Sequence, residues 1–129
     1  MARPIPNQPT EVELQILGVL WKRGSATARE IHNEIIDSRD VNYSTTVKML
    51  AVMLDKSLVK KDQSTRPQKF SASAPQKKTQ TKLLKNLIQK AYDGSTGSLV
   101  LQALASQKAT KDELAEIRKL LDELEGDQK

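Results

Sequence analysis

The chain has 129 residues, 37% of them hydrophobic and 29% charged, with a formal net charge of +5 and no cysteine. Such a length suits one domain or a small domain with an appendage, and the missing cysteines exclude disulfides, cysteine-ligated zinc, iron–sulfur clusters and thiol redox sensing. With His32 as the lone histidine, no histidine-rich metal site can be assembled either, so neither a metal nor another cofactor is expected.

Residues 1–9 hold three of the five prolines and read as a flexible N-terminal arm. Thr10 and Glu13 have the spacing of a capping box, in which each side chain satisfies the other residue's free amide. They open a first helix over about 10–23, with Leu14, Leu17 and Trp21 on one apolar stripe, Ile16 and Leu20 beside it, and Gly24 as its stop. Thr27 and Glu30 repeat the box for a second helix that turns Ala28, Ile31 and Ile35 inward. Asn42 is a good N-cap for a third helix, whose inward stripe is read as Val47, Leu50 and Leu54. The opposite face then carries Ser44, Thr45, Lys48, Met49 and Val52.

Beyond Leu58 the period shortens. Residues 58–62 and 68–72 read as strands of a β-hairpin around a polar connector, and Ser73–Pro75 as a boundary. Three helices follow, at about 76–92, 98–106 and from Thr110, where Glu113 completes a third capping box. The fold class is therefore mainly α with a small β-hairpin. A winged helix-turn-helix over 10–74 precedes a three-helix region over 75–129.

Charge is unevenly spread. Residues 1–40 carry a net −1, residues 41–90 a net +9, and residues 91–129 a net −3. A basic block over the third helix and the hairpin fits a polyanion site, although a lysine-rich solvated surface gives the same count. In a winged helix the third helix enters the major groove and the wing runs along the backbone. Ser44, Thr45, Lys48 and Met49 are thus candidates for base edges, and Lys60, Lys61, Arg66 and Lys69 for phosphates. Four aromatic residues are too few for a stacking platform, which argues against single-stranded partners. An alternative is a protein-interaction module docking through Met49, Val52 and Met53. The apolar residues of the last two helices, Leu99, Leu101, Leu104, Leu114, Ile117 and Leu121, exceed what so short a region can bury alone. Either they fold back on the first domain or they pair with a second copy, and a homodimer also suits a palindromic site. No apolar run reaches the ~18 residues of a membrane span, no signal peptide is seen, and neither a glycine-rich phosphate loop nor an acid–base carboxylate pair is present. A cytoplasmic protein that is not an enzyme is expected.

The residues also resemble a known family, the penicillinase and methicillin-resistance repressors. The stretch PTEVELQILGVLWKRGSATAREIHNEI resembles that family's opening helices, and VNYSTTVKMLAVMLDKSLVKK is similar to its recognition helix. GSLVLQAL and KDELAEIRKLLDEL look like its dimerisation segment, so that the likeness spans about residues 9–125. The resemblance implies a homodimeric transcriptional repressor of dyad operators in double-stranded DNA, switched off in many members through a protease signalling system. It places Tyr43, Ser44, Thr45, Thr46 and Lys48 on the DNA-contacting helix, although Tyr43 could equally close the core beneath it. Met53 and Ser57 stand where the family commonly has Arg and Gly, implying a different operator preference. Gln102 and Ala103 stand where the best-known members carry the Asn-Phe bond that is cut, which puts derepression by the usual cleavage in doubt. The absence of cysteine excludes the route by which the copper-responsive branch senses its metal.

Overall fold

The computed structural model describes residues 8–127, so that most of the predicted N-terminal arm lies outside the described residues. Helices α1 (Glu11–Arg23), α2 (Ala28–Ile35) and α3 (Tyr43–Asp55) are followed by strands β2 (Val59–Asp62) and β3 (Lys69–Ala72). Helices α4 (Gln76–Ala91), α5 (Thr96–Ser106) and α6 (Lys111–Asp127) complete the order. A two-residue strand, β1 (Ala26–Thr27), pairs with β3, turning the expected hairpin into a three-stranded antiparallel sheet of order β1-β3-β2. Its register sets Ala26 against Phe70, and Val59 against Ala72. Two residues carry no detectable period, which is why β1 escapes a sequence reading. The chain divides into two compact units, 8–83 and 84–127, and the division falls within α4.

The first unit is a winged helix. Its core joins Ile16, Leu17 and Leu20 of α1 to Ile31 and Ile35 of α2, Leu50 and Met53 of α3, and Ala26, Val59 and Phe70 of the sheet. Leu14 and Trp21 are only half-buried, so the inward stripe of α1 is centred on Ile16, Leu17 and Leu20. The Trp21 indole has one edge free to donate, and its Nε1 bonds the Ala74 carbonyl at 2.9 Å, tying α1 to the segment after β3. Helix ends follow the caps read from sequence. Thr10 and Glu13 exchange hydrogen bonds of 3.2 and 2.8 Å, Thr27 and Glu30 exchange 3.1 and 2.9 Å, and Gly24 ends α1 at a φ of 85°, open to glycine without a Cβ clash.

Glu13 has a second task. Its Oε1 also accepts from Lys56 Nζ at 2.9 Å, with both side chains largely buried, linking the start of α1 to the end of α3. Burial alone would raise the Glu13 carboxyl. The hydrogen bond from Lys56, the Thr10 amide and the Lys56 charge outweigh it and hold the group below its ordinary value.

Helix α3 ends in a Schellman motif. The Ser57 amide bonds the Leu54 carbonyl at 3.0 Å and the Leu58 amide bonds that of Met53 at 2.9 Å. Ser57 therefore adopts a φ of 62°, at the position where the resemblance leads one to expect glycine.

In the second unit no helix residue is buried. Ser95 caps α5 by accepting from the Ser98 amide at 3.1 Å, and Thr110 and Glu113 form the third capping box, with bonds of 2.9 and 3.0 Å. Among the described residues, no helix is long and apolar enough to cross a membrane.

Candidate nucleic-acid interface

Helix α3 is capped by Asn42, whose Oδ1 accepts from the Thr45 amide and from the Ser44 and Thr45 hydroxyls, each at 2.8 Å. Both hydroxyls are tethered to the cap and keep lone pairs free to accept. Ser44 is exposed and Thr45 half-buried.

The inward face of α3 differs from the one read in the sequence. Thr46, Leu50 and Met53 are buried, while Val47 is 42% exposed. Thr46 is 0% exposed, so its side chain belongs to the core rather than to a DNA-contacting surface. Its Oγ1 shares a 2.8 Å hydrogen bond with Nδ1 of His32, which is itself buried. That bond explains the register: a satisfied threonine is cheap to bury, and periodicity in apolar residues does not find it. Met49 is half-buried and packs against the core, so it is a flank of the face and not its centre. Met53 is fully buried, which removes it from the alternative docking patch. What α3 exposes is Ser44, Val47, Lys48, Ala51, Val52 and Asp55. Val47 is the residue that the sequence reading missed, because an exposed valine and a core valine look alike in a pattern.

Tyr43, the first residue of α3, is half-buried. Its ring meets that of His32 edge-on, with centroids 5.6 Å apart, and the Arg29 guanidinium lies over it with Cζ 3.8 Å from the ring centroid. Tyr43 thus closes one end of the α2–α3 packing and at the same time carries a cation.

The wing presents its predicted cations outward. Lys60, Lys61 and Lys69 on β2 and β3, and Arg66 between the strands, are all exposed. Asp62 anchors the connector by accepting from the Ser64 amide at 2.9 Å and the Ser64 hydroxyl at 2.6 Å. These bonds hold its carboxyl below the ordinary range, with Lys69 adding to the effect. Lys69 also helps to lower Glu30, after the Thr27 amide and Arg23. Lys60, Lys61, Arg66 and Lys69 make no ion pair among the described residues.

Of the apolar candidates in the second unit, Leu101, Leu104 and Leu121 are exposed, Leu101 by 72%, whereas Leu99, Leu114 and Ile117 are half-buried. Leu120 and Leu124 add to the exposed face of α6.

Comparison with known proteins completes the picture. A methicillin resistance regulatory protein MecI from Mammaliicoccus sciuri is 24% identical over 112 residues, covering 87% of this chain and 91% of that protein. A penicillinase repressor from Staphylococcus aureus is likewise 24% identical over 112 residues, covering 87% of this chain and 89% of its own. Residues 9–123 match the penicillinase repressor family. The fold, the capped recognition-type helix and this match together place the chain in that family: it is a penicillinase repressor family member.

Proposed function

We propose that the protein is a transcriptional repressor that binds dyad operators in double-stranded DNA as a homodimer in the cytoplasm. The winged-helix domain over 10–74 would hold the DNA and the helices over 75–129 would pair. The observation that carries this reading is the outer face of α3, which offers Lys48, the Ser44 hydroxyl and the methyl groups of Val47 and Ala51 on one exposed side. That set suits a major groove: Lys can donate to guanine, a hydroxyl oxygen can accept from an adenine or cytosine amino group, and methyl groups meet thymine methyls. Thr45 lines the same end of the helix. Lys60, Lys61, Arg66 and Lys69 on the wing supply charge for the backbone. The names of the relatives support repression, and the exposed leucines of α5 and α6 support pairing. Release through a protease signalling system belongs to the same proposal.

Selection from random duplexes at near-physiological salt, followed by sequencing and by sedimentation of the free protein, tests this reading. A dyad with half-sites about one helical turn or a multiple apart, and a dimer in sedimentation, are expected. Absence of enrichment by folded protein overturns it. A protein-docking role would then follow, since Val47, Ala51 and Val52 make the outer face of α3 largely apolar.

A further inference from the structure

Arg29 is not among the candidate contact residues read from the sequence, yet it is an exposed cation that an aromatic ring holds in place. It lies in the first turn of α2 and is exposed, and among the described residues it makes neither a hydrogen bond nor an ion pair with an acid. The Tyr43 ring holds it instead, at 3.8 Å from Cζ to centroid. Tyr43 in turn is fixed edge-on by His32, and His32 by the buried Thr46 hydroxyl. A row of contacts thus runs from the core to a guanidinium standing beside the first residue of α3, next in sequence to the exposed Ser44.

We infer that Arg29 is a backbone clamp for the operator, its guanidinium stacked on Tyr43 so that it meets one phosphate per protomer with its rotamer already chosen. Stacking uses the face of the guanidinium and leaves its in-plane N–H groups free, and that fork matches two phosphate oxygens. Lys48, by contrast, projects from the outer face of α3 toward base edges. A long side chain loses rotamer freedom on binding, and a cation held on an aromatic ring has already lost most of it. Tyr43 is here a positioning residue, acting on DNA through Arg29. The inference rests on the DNA-binding reading and deepens it.

The test is the salt dependence of binding by the full-length protein, measured with the selected duplex and a scrambled duplex of equal length. Arg29→Ala removes an exposed side chain and is expected to fold normally by circular dichroism. It should weaken both duplexes alike, by roughly tenfold at low salt, and flatten the slope of log affinity against log salt by about 0.9 per protomer. Tyr43→Leu, which leaves the Arg29 charge in place, should keep the native slope but lose part of the affinity on both duplexes, and Tyr43→Phe, which keeps the ring face, should restore it. Adding Tyr43→Leu to Arg29→Ala should cost no further affinity. A native slope for Arg29→Ala, in an assay where Lys61→Ala does flatten it, overturns the clamp while leaving DNA binding intact. Weakening confined to one base position overturns the phosphate assignment. Native protein without salt-dependent binding to any duplex overturns the DNA-binding reading itself, a result visible before any variant is made.

Discussion

Replacing Ser57 by glycine should stabilise the protein, because the residue occupies a backbone conformation that its side chain opposes. Ser57 has a φ of 62°, in the left-handed region, where an L-residue with a Cβ is disfavoured by about 1–2 kcal/mol. The conformation is imposed by the Schellman motif, since the Ser57 and Leu58 amides must reach the Leu54 and Met53 carbonyls. Leu58 packs against the core that holds Met53, so the turn cannot relax without loosening that packing. Glycine keeps both backbone bonds and removes the clash. The serine hydroxyl is exposed and makes no hydrogen bond among the described residues, so nothing is lost with it. Against the gain stands the greater freedom of glycine in the unfolded chain, about 0.5–1 kcal/mol. The net expectation is ~0.5–1 kcal/mol of added stability, or a rise of ~2–8 °C in Tm for a unit of this size. Urea unfolding of the native protein, Ser57→Gly and Ser57→Ala measures it. Alanine keeps the Cβ and should leave the midpoint almost where serine has it. A glycine variant no more stable than native, or an alanine variant that gains as much, would refute the argument from backbone conformation.

Three further outcomes follow from contacts already described. Lys56→Met should cost about 2–3 kcal/mol in urea unfolding, because it strips a largely buried Glu13 of its cationic donor. Since the folded Glu13 carboxyl lies below its unfolded value, its stabilisation is complete above the unfolded value and lost as pH falls from there through the folded one; acid titration of the unfolding midpoint should be flatter below about pH 4 in Lys56→Met than in native protein. Thr46→Val preserves shape but leaves His32 Nδ1 without its partner, so a loss of about 1–3 kcal/mol is expected in the same assay, and no loss would mean that the buried bond is dispensable. Lys48→Ala should weaken the selected operator by ~1–3 kcal/mol and relax one position per half-site, whereas Lys61→Ala should weaken all duplexes equally; equal losses on operator and random DNA for Lys48→Ala would deny it a base-reading role.

Much of the architecture could be read before any coordinates, for a physical reason. Capping boxes are local chemistry, fixed by two residue types three positions apart, and Thr10–Glu13, Thr27–Glu30 and Thr110–Glu113 all form as their spacing implies. The hairpin strands likewise fall at 59–62 and 69–72, one residue inside the ranges expected. What could not be read depends on partners distant in sequence. Strand β1 exists because β3 offers it an edge, and the face of α3 is set by a His32–Thr46 bond that links residues on different helices. That second effect moves Thr46 and Met53 inward and Val47 outward, and it decides which side chains a ligand can touch. Arg29 was invisible for the same reason, since its ring partner lies fourteen residues further on.

The two polar bonds that hold α3 have a mechanical meaning. Apolar packing resists pulling a helix away from its neighbours, and its interdigitated side chains leave only a small roll about the helix axis. Directional bonds oppose that roll, and α3 has one in its second residue pair, at Thr46 to His32, and one just past its last turn, at Lys56 to Glu13. They are ten residues apart, which is about 15 Å along the axis, so the helix is pinned in azimuth near both ends. At a side-chain radius of about 5–6 Å, each 10° of roll displaces an outer tip by ~1 Å, enough to spoil hydrogen-bond geometry with a rigid partner. Whatever docks on Ser44, Val47 and Lys48 therefore meets a surface already indexed, and pays little to align it.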